Sequence, residues 1–361
     1  MTVTSYFSAN YTEARNKFLS ACAARGADVD SRMNPKAVGA TGETLYMDIV
    51  RFGSAQARKV LFLMSGTHGV EGYCGSGAQI GFLTEAYFSD LPDDVSVVLV
   101  HAMNPYGFSH NRRVNEDNVD LNRNFLDFSK PERPVSTYGD IHAHVLPEDW
   151  DGPARKHANK QLALFIEEHG MRTFQAAVSG GQYQYADGIF YGGSGPTWSN
   201  ETFRSVVRDY ANDVETVCFI DFHTGLGPYG YGELISLGSL DQKAHVRQWF
   251  GDEVTDPDAG TSTSAPVVGT VGHGVADLLP DASIAFIALE YGTRELNQVL
   301  TALRADNWLY HKGVLDSDLG ARIKAEIRDA FYPDKEDWKE MVWARAQEVT
   351  ERALSGLSVA E

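Results

Sequence analysis

The 361-residue sequence has only three cysteines, Cys22, Cys74 and Cys218, which are far apart and form no CxxC pair. No disulfide framework is expected from them. Positive charge is also scarce: 31 Lys and Arg stand against 49 Asp and Glu, a formal charge of −18, with no basic run. Such a chain repels polyphosphate and anionic lipid, so nucleic acid and membrane surfaces are not expected partners. Long hydrophobic stretches are missing. The longest apolar runs, such as 97–100 and 284–289, have the length of a strand, and the N-terminus has no basic patch followed by an apolar core. Neither a membrane span nor a signal peptide is expected, and a cytoplasmic protein is. No serine stands in GxSxG, no GxGxxG joins a strand to a helix, and the Gly-rich GIFYGGSGPTW carries no phosphate-binding lysine. Nucleophile-elbow hydrolases, dinucleotide folds and P-loops are thereby set aside.

With 43% hydrophobic and 22% charged residues the chain can bury a sizeable core. Short β-rich runs recur at 44–51, 59–64, 96–102, 215–222, 233–237 and 283–289, several of them apolar almost throughout, as in VLFLM, VCFIDF and IAFIAL. Strands without a polar face belong to a sheet covered on both sides. Helical patterns alternate with them at 12–25, 76–88, 154–168, 200–212 and 294–306. This predicts an α/β fold with a mixed, largely parallel sheet and helices on both faces. Loop-rich segments at 129–153, 179–198 and 256–274 are too short and apolar for linkers, so one domain over 1–361 is expected. The alternation ends in a helical segment of about 318–357, where 321–331 and 334–354 flank Tyr332-Pro333. In the second of these, Trp338, Met341, Val342, Val349 and Leu354 fall near helical spacing and read as a packing face.

The sharpest local feature is Ser65-Gly66-Thr67-His68-Gly69-Val70-Glu71-Gly72, directly after the apolar run 59–64. Strand ends are where ligands sit in α/β sheets. A His and a Glu three apart, among glycines that leave the backbone unobstructed, can face one point as metal ligands; the spacing alone also fits a turn with two solvated polar groups. Asp221-Phe222-His223-Thr224-Gly225 follows a second buried strand, so His223 emerges at a strand end as His68 does, although a core histidine bonded to a carbonyl would look the same. Together His68, Glu71 and His223 would supply three N/O ligands and leave a fourth position to water, the arrangement of a catalytic zinc. Glu290 ends the apolar run IAFIALE, a costly place for a carboxylate unless it lies at an edge, in a salt bridge or in use. Beside a metal-bound water it could act as general base and then acid. Arg112, Arg113 and Arg123 stand out in so acidic a chain, and a guanidinium can clamp a carboxylate or hold an oxyanion.

Taken in order, SGTHGVEGYCGS, NPYGFSHNRRVNEDNVDLNRNF, GIFYGGSGPTWSN, DFHTG and LEYGT, with YTEARNKF near the N-terminus, resemble the M14-type zinc carboxypeptidase superfamily. More closely, they resemble its DUF2817 branch. The resemblance implies a carboxypeptidase-like fold and one zinc per chain, held by His68, Glu71 and His223, with Glu290 as base and acid. It implies that Asn122 and Arg123 grip a free carboxylate, that Arg113, or Arg112 beside it, polarises the scissile carbonyl, and that Asp120 braces a zinc-bound imidazole, that of His68. A mobile tyrosine often assists in the superfamily; Tyr229 and Tyr231 lie in the matching interval without a motif. The implied substrate is a peptide or an N-acyl amino acid with a free carboxylate. A carboxypeptidase leads, a deacylase or small-molecule amidase is the alternative, and a non-catalytic carboxylate-binding protein is the alternative of another class. Cys74 reads as an apolar filler, and His273, in VGHGV, as a substrate contact to examine.

Overall fold

A computed structural model of the chain describes residues 2–238 and 240–360. Seven strands, β1 (Val29–Val38), β2 (Thr44–Gly53), β3 (Lys59–Ser65), β4 (Val95–His101), β5 (Thr216–Tyr229), β6 (Gly232–Ser236) and β7 (Ser283–Gly292), form one mixed sheet. Its order is β1-β2-β4-β3-β5-β7-β6. The central four, β4, β3, β5 and β7, are parallel, and antiparallel strands close both edges.

The apolar strands are covered on both faces. Leu61 and Leu63 of β3 point into one core with Ile220, Leu289, Trp338 and Val342. Val60, Phe62 and Met64 point into the other with Phe203, Phe219 and Phe286. The first layer is built from the helices Tyr11–Ala24, Gly72–Thr84 and Glu336–Val359, the second from Trp198–Tyr210 and Val271–Leu278. Gly75 shows why the helix after β3 is glycine-rich: a Cβ there would lie 2.7 Å from Ser65 Cβ and 2.8 Å from Phe222 Cβ, so the helix could not approach the sheet as it does.

Three departures from the sequence pattern have physical causes. β1 was not expected, because its VDSRMNPKAV is polar and holds Pro35; an edge strand tolerates both. β5 and β7 run past the expected ends, so His223 and Glu290 lie within strands rather than at their tips, although β5 loses its β3 neighbour after Phe222. The tail helices are Asp318–Phe331 and Glu336–Val359, with Trp338, Val342 and Val349 buried. Met341, expected on that packing face, is 42% exposed. Its neighbour Trp343 is inside instead, against Tyr6 and Phe82. No helix of the described residues is long and apolar enough to cross a membrane.

Candidate active site

The site lies where β3 and β5 cease to pair. After Ser65 the chain turns through Gly66 at φ +70°, and a single helical turn, Gly69–Glu71, returns Glu71 beneath His68. The turn is tight because Gly69 rests on Gly107, with which a Cβ would collide at 2.0 Å. From β5, His223 reaches the same point. His68 Nδ1 lies 3.0 Å from Glu71 Oε1 and 3.2 Å from His223 Nδ1, which lies 3.1 Å from Glu71 Oε2. All three side chains are buried, and each offers a ligand atom within 4.8 Å of the others, a set that can hold a metal ion.

Both imidazoles are braced from behind by carboxylates. His68 Nε2 lies 3.0 Å from Asp120 Oδ1, and His223 Nε2 lies 2.7 Å from Asp221 Oδ2. Thr67 in turn donates its hydroxyl to Asp221 Oδ1 at 2.8 Å. A carboxylate at each Nε2 places the proton there and leaves the Nδ1 lone pairs converging, with Glu71, on one spot. Two such lone pairs 3.2 Å apart repel unless positive charge lies between them, so this donor set fits a divalent cation. Burial works against an imidazolium at His223, yet Asp221 and then Glu71 hold its pKa well above the usual histidine value. Burial likewise opposes ionisation of Glu71, but His68, His223 and Arg113 keep it below the usual carboxylate range.

Glu290 enters from β7, where it is the direct register partner of His223. Its Oε1 accepts from the Leu226 N–H at 2.9 Å. Burial, then the Glu71 charge, raise its pKa to about 7.

The two neighbouring arginines part company. Arg113 donates from Nε to Asp120 at 3.0 Å and from one amino group to Glu71 at 2.8 Å, and it lines the cavity over the cluster. Arg112, expected among the substrate contacts, does not line that cavity. Its Nε is paired with the buried Asp306 at 3.0 Å, an amino group bonds Asn118 at 2.9 Å, and the guanidinium stacks on Tyr310. Asn122 and Arg123 also line the cavity. Asn122 Oδ1 accepts from the Val271 N–H, and its amide nitrogen lies 3.4 Å from His223 Nε2. Arg123 donates to the carbonyls of Asn122 and Ser179, while its buried Nε has no partner among the described residues. Burial lowers the pKa of this guanidinium.

Some candidates lie elsewhere. Tyr229 bonds Asp337 at the surface and Tyr231 is 46% exposed, and neither lines the cavity. His273 is exposed and bonded to Thr270, while Cys74 is buried in the helix behind the site. Of the loop-rich segments 129–153 and 179–198, the second contributes Phe190 and Ser179 to the cavity and the first contributes nothing. The roof comes instead from the helices Met171–Ser179 and Leu296–His311. GIFYGGSGPTW lines the cavity through Phe190 and braces the residues behind it, its Tyr191 carbonyl receiving Asp120 N–H and its Gly192 carbonyl the Asn124 amide. Asp221 was the residue not singled out. The signal was there, since two residues before His223 on a strand is the same face.

The chain is similar to solved structures. The crystal structure of thrombin activatable fibrinolysis inhibitor is similar over 97% of this chain and 75% of that one, at 14% identity and a TM-score of 0.53. Carboxypeptidase A from Helicoverpa armigera (13% identity, 89% of this chain and 73% of that one, TM-score 0.43) is also similar. So is a metallo-carboxypeptidase from Burkholderia cenocepacia (12%, 94% and 69%, TM-score 0.42). No curated protein matches the sequence. The family described as Protein of unknown function (DUF2817) matches residues 7–345, and the chain belongs to that family.

Proposed function

We propose that this protein is a zinc-dependent hydrolase that cleaves an amide bond next to a free carboxylate. The observation that carries the reading is the opposition of Glu290 to His223 across β5 and β7. It sets a carboxylate, bonded through one oxygen to the Leu226 N–H, in the same cavity as the His68, Glu71 and His223 cluster and the Arg113, Asn122 and Arg123 donors.

A zinc ion held by His68, Glu71 and His223 would supply Lewis acidity, lowering the pKa of water and polarising a carbonyl. The other roles fall to side chains. Arg123, through the amino N–H groups left over by its bonds to the Asn122 and Ser179 carbonyls, and the Asn122 amide bind the substrate carboxylate and fix the register of the scissile bond. The remaining amino group of Arg113, uncommitted among the described residues, donates to the carbonyl oxygen as negative charge develops there. Glu290 Oε2, free while Oε1 is fixed by Leu226, takes the proton of the attacking water and returns it to the departing amine. A carboxyl whose pKa lies near neutrality can both accept and give up that proton.

The test is the zinc-loaded protein incubated with dipeptides and N-acyl amino acids, with free amino acid read by mass. The same panel separates peptidase from deacylase. Glu290→Gln is expected to lose about a thousandfold or more in turnover while keeping one zinc per chain, and a chelator to abolish release. A Gln variant that keeps most of its rate, or a wild type that releases nothing, would sink the reading.

A further inference from the structure

The cavity changes character a few ångströms from the cluster. Apart from His68, His223, Glu290, Arg113 and Arg123, no charged side chain among the described residues lines it, and its remaining walls are mainly aliphatic and aromatic. Its volume is about 130 Å³. An apolar cavity of about 150 Å³ takes up benzene, so this one has room for a branched aliphatic or phenyl group.

The apolar walls adjoin the carboxylate-binding end. The Phe190 ring lies 5.1 Å from the Arg113 guanidinium and 5.5 Å from that of Arg123. Val178 precedes Ser179, whose carbonyl accepts from Arg123. The floor is a cross-strand pair, Ile235 of β6 opposite Ala288 of β7, and Ala288 stands two residues before Glu290 on the same face of its strand. With alanine there the cavity stays open, and no group on its floor can pair with an ammonium or a carboxylate.

We infer that the residue bearing the substrate's free carboxylate has an uncharged, apolar side chain of leucine or phenylalanine size, received between Phe190, Val178 and the Ile235–Ala288 floor. The inference rests on the hydrolase reading for the placing of the carboxylate, and deepens it. Burying a charged side chain against these walls forfeits its hydration without a partner, whereas an apolar one gains by leaving water.

The experiment is calorimetric binding to the zinc-loaded Glu290→Gln protein, with N-acetyl derivatives of leucine, phenylalanine, glycine, lysine and aspartate as probes. Leucine and phenylalanine are expected to bind at least about tenfold tighter than the other three. Ala288→Leu, which fills the floor, should reduce that advantage to about twofold or less while leaving the glycine derivative unaffected. Equal affinities, a preference for lysine or aspartate, or no binding of any probe overturns the assignment, whether or not the Ala288 variant folds. The two readings fail separately. Selectivity for leucine and phenylalanine with no amide cleaved by the wild type refutes the hydrolase and leaves the pocket, while equal release from lysine and leucine substrates refutes the pocket and leaves the hydrolase.

Discussion

His223 and Glu290 face each other as register partners on the parallel strands β5 and β7, so a proposed metal ligand and the proposed base are held by one sheet rather than by loops. Their relative position is fixed by backbone pairing on either side, Phe222 with Leu289 and Thr224 with Tyr291. A site set on strands in this way keeps its geometry when surface loops change.

The raised pKa of Glu290 predicts a pH-dependent strain in the metal-free protein. The group goes from an ordinary 4.5 to about 7 on folding, so the folded state holds its proton more tightly than the unfolded one. The stability associated with that proton is complete below about pH 4.5 and is lost as the pH rises through about 7. Glu290→Gln cannot lose a proton. In chelator, its stability relative to wild type should therefore increase between about pH 5 and pH 8, by roughly 1–3 kcal/mol. Urea unfolding at both pH values measures it, and parallel pH profiles for the two proteins would contradict the raised pKa.

Asp221 and Asp120 brace different histidines and should be separable. Asp221→Asn removes the carboxylate behind His223, and zinc affinity is expected to fall about 10–100-fold, read by competition with a chromophoric chelator. Asp120→Asn should lower affinity comparably and also impair turnover, because Asp120 receives Arg113 Nε and the Asn122 backbone N–H as well. Unchanged zinc affinity in both variants would mean that the imidazoles do not depend on these partners.

The ease with which parts of this architecture are read from sequence follows from how local their causes are. The apolar runs of β3, β5 and β7 announce a doubly covered sheet because burial on both faces leaves no polar alternation. His68 and Glu71 are legible because they stand three residues apart among three glycines, a spacing visible without the Gly107 contact that tightens the turn. β1 is not, since its Pro35 and polar residues are tolerated only at an edge. The helices Met171–Ser179 and Val271–Leu278 lay inside or beside segments that read as loops, and Phe190, in a Gly-rich stretch, becomes a wall only through long-range packing under Arg113 and Arg123. Arg112 and Arg113 are alike in sequence, and their partners tell them apart, the distant Asp306 for one and Asp120 with Glu71 for the other.

That difference makes the arginine pair a direct experiment. Arg112→Ala leaves Asp306 buried with Lys324 as its remaining cation, and should cost about 1–3 kcal/mol of stability while leaving zinc affinity unchanged. Arg113→Ala should lower kcat/KM by about 100–1,000-fold through loss of a donor to the developing oxyanion. Equal catalytic loss in folded forms of both variants would refute the division of roles.

Glu233 supplies the last prediction. It is buried on β6, directly opposite Glu290, and no cation is paired with it among the described residues. Its carboxylate instead receives the hydroxyls of Thr255, Ser262 and Thr263 and the Thr263 N–H, all from the segment that goes on to line the cavity at Ser264, Ala265 and Val267. Each bond to a buried anion opposes the cost of burying it, and together they hold that segment against the sheet. Glu233→Ala would leave those hydroxyls without their acceptor, and a loss of about 1–3 kcal/mol is expected. Because the pinned segment forms a wall and, among the described residues, makes no hydrogen bond to Glu290 or to the three ligand side chains, the kinetic change should fall on KM, raised several-fold, with kcat nearly kept. Glu233→Gln retains an acceptor and should recover most of both losses. A fall in kcat at constant KM would show that the carboxylate acts on Glu290 across the strand pair, not on the wall.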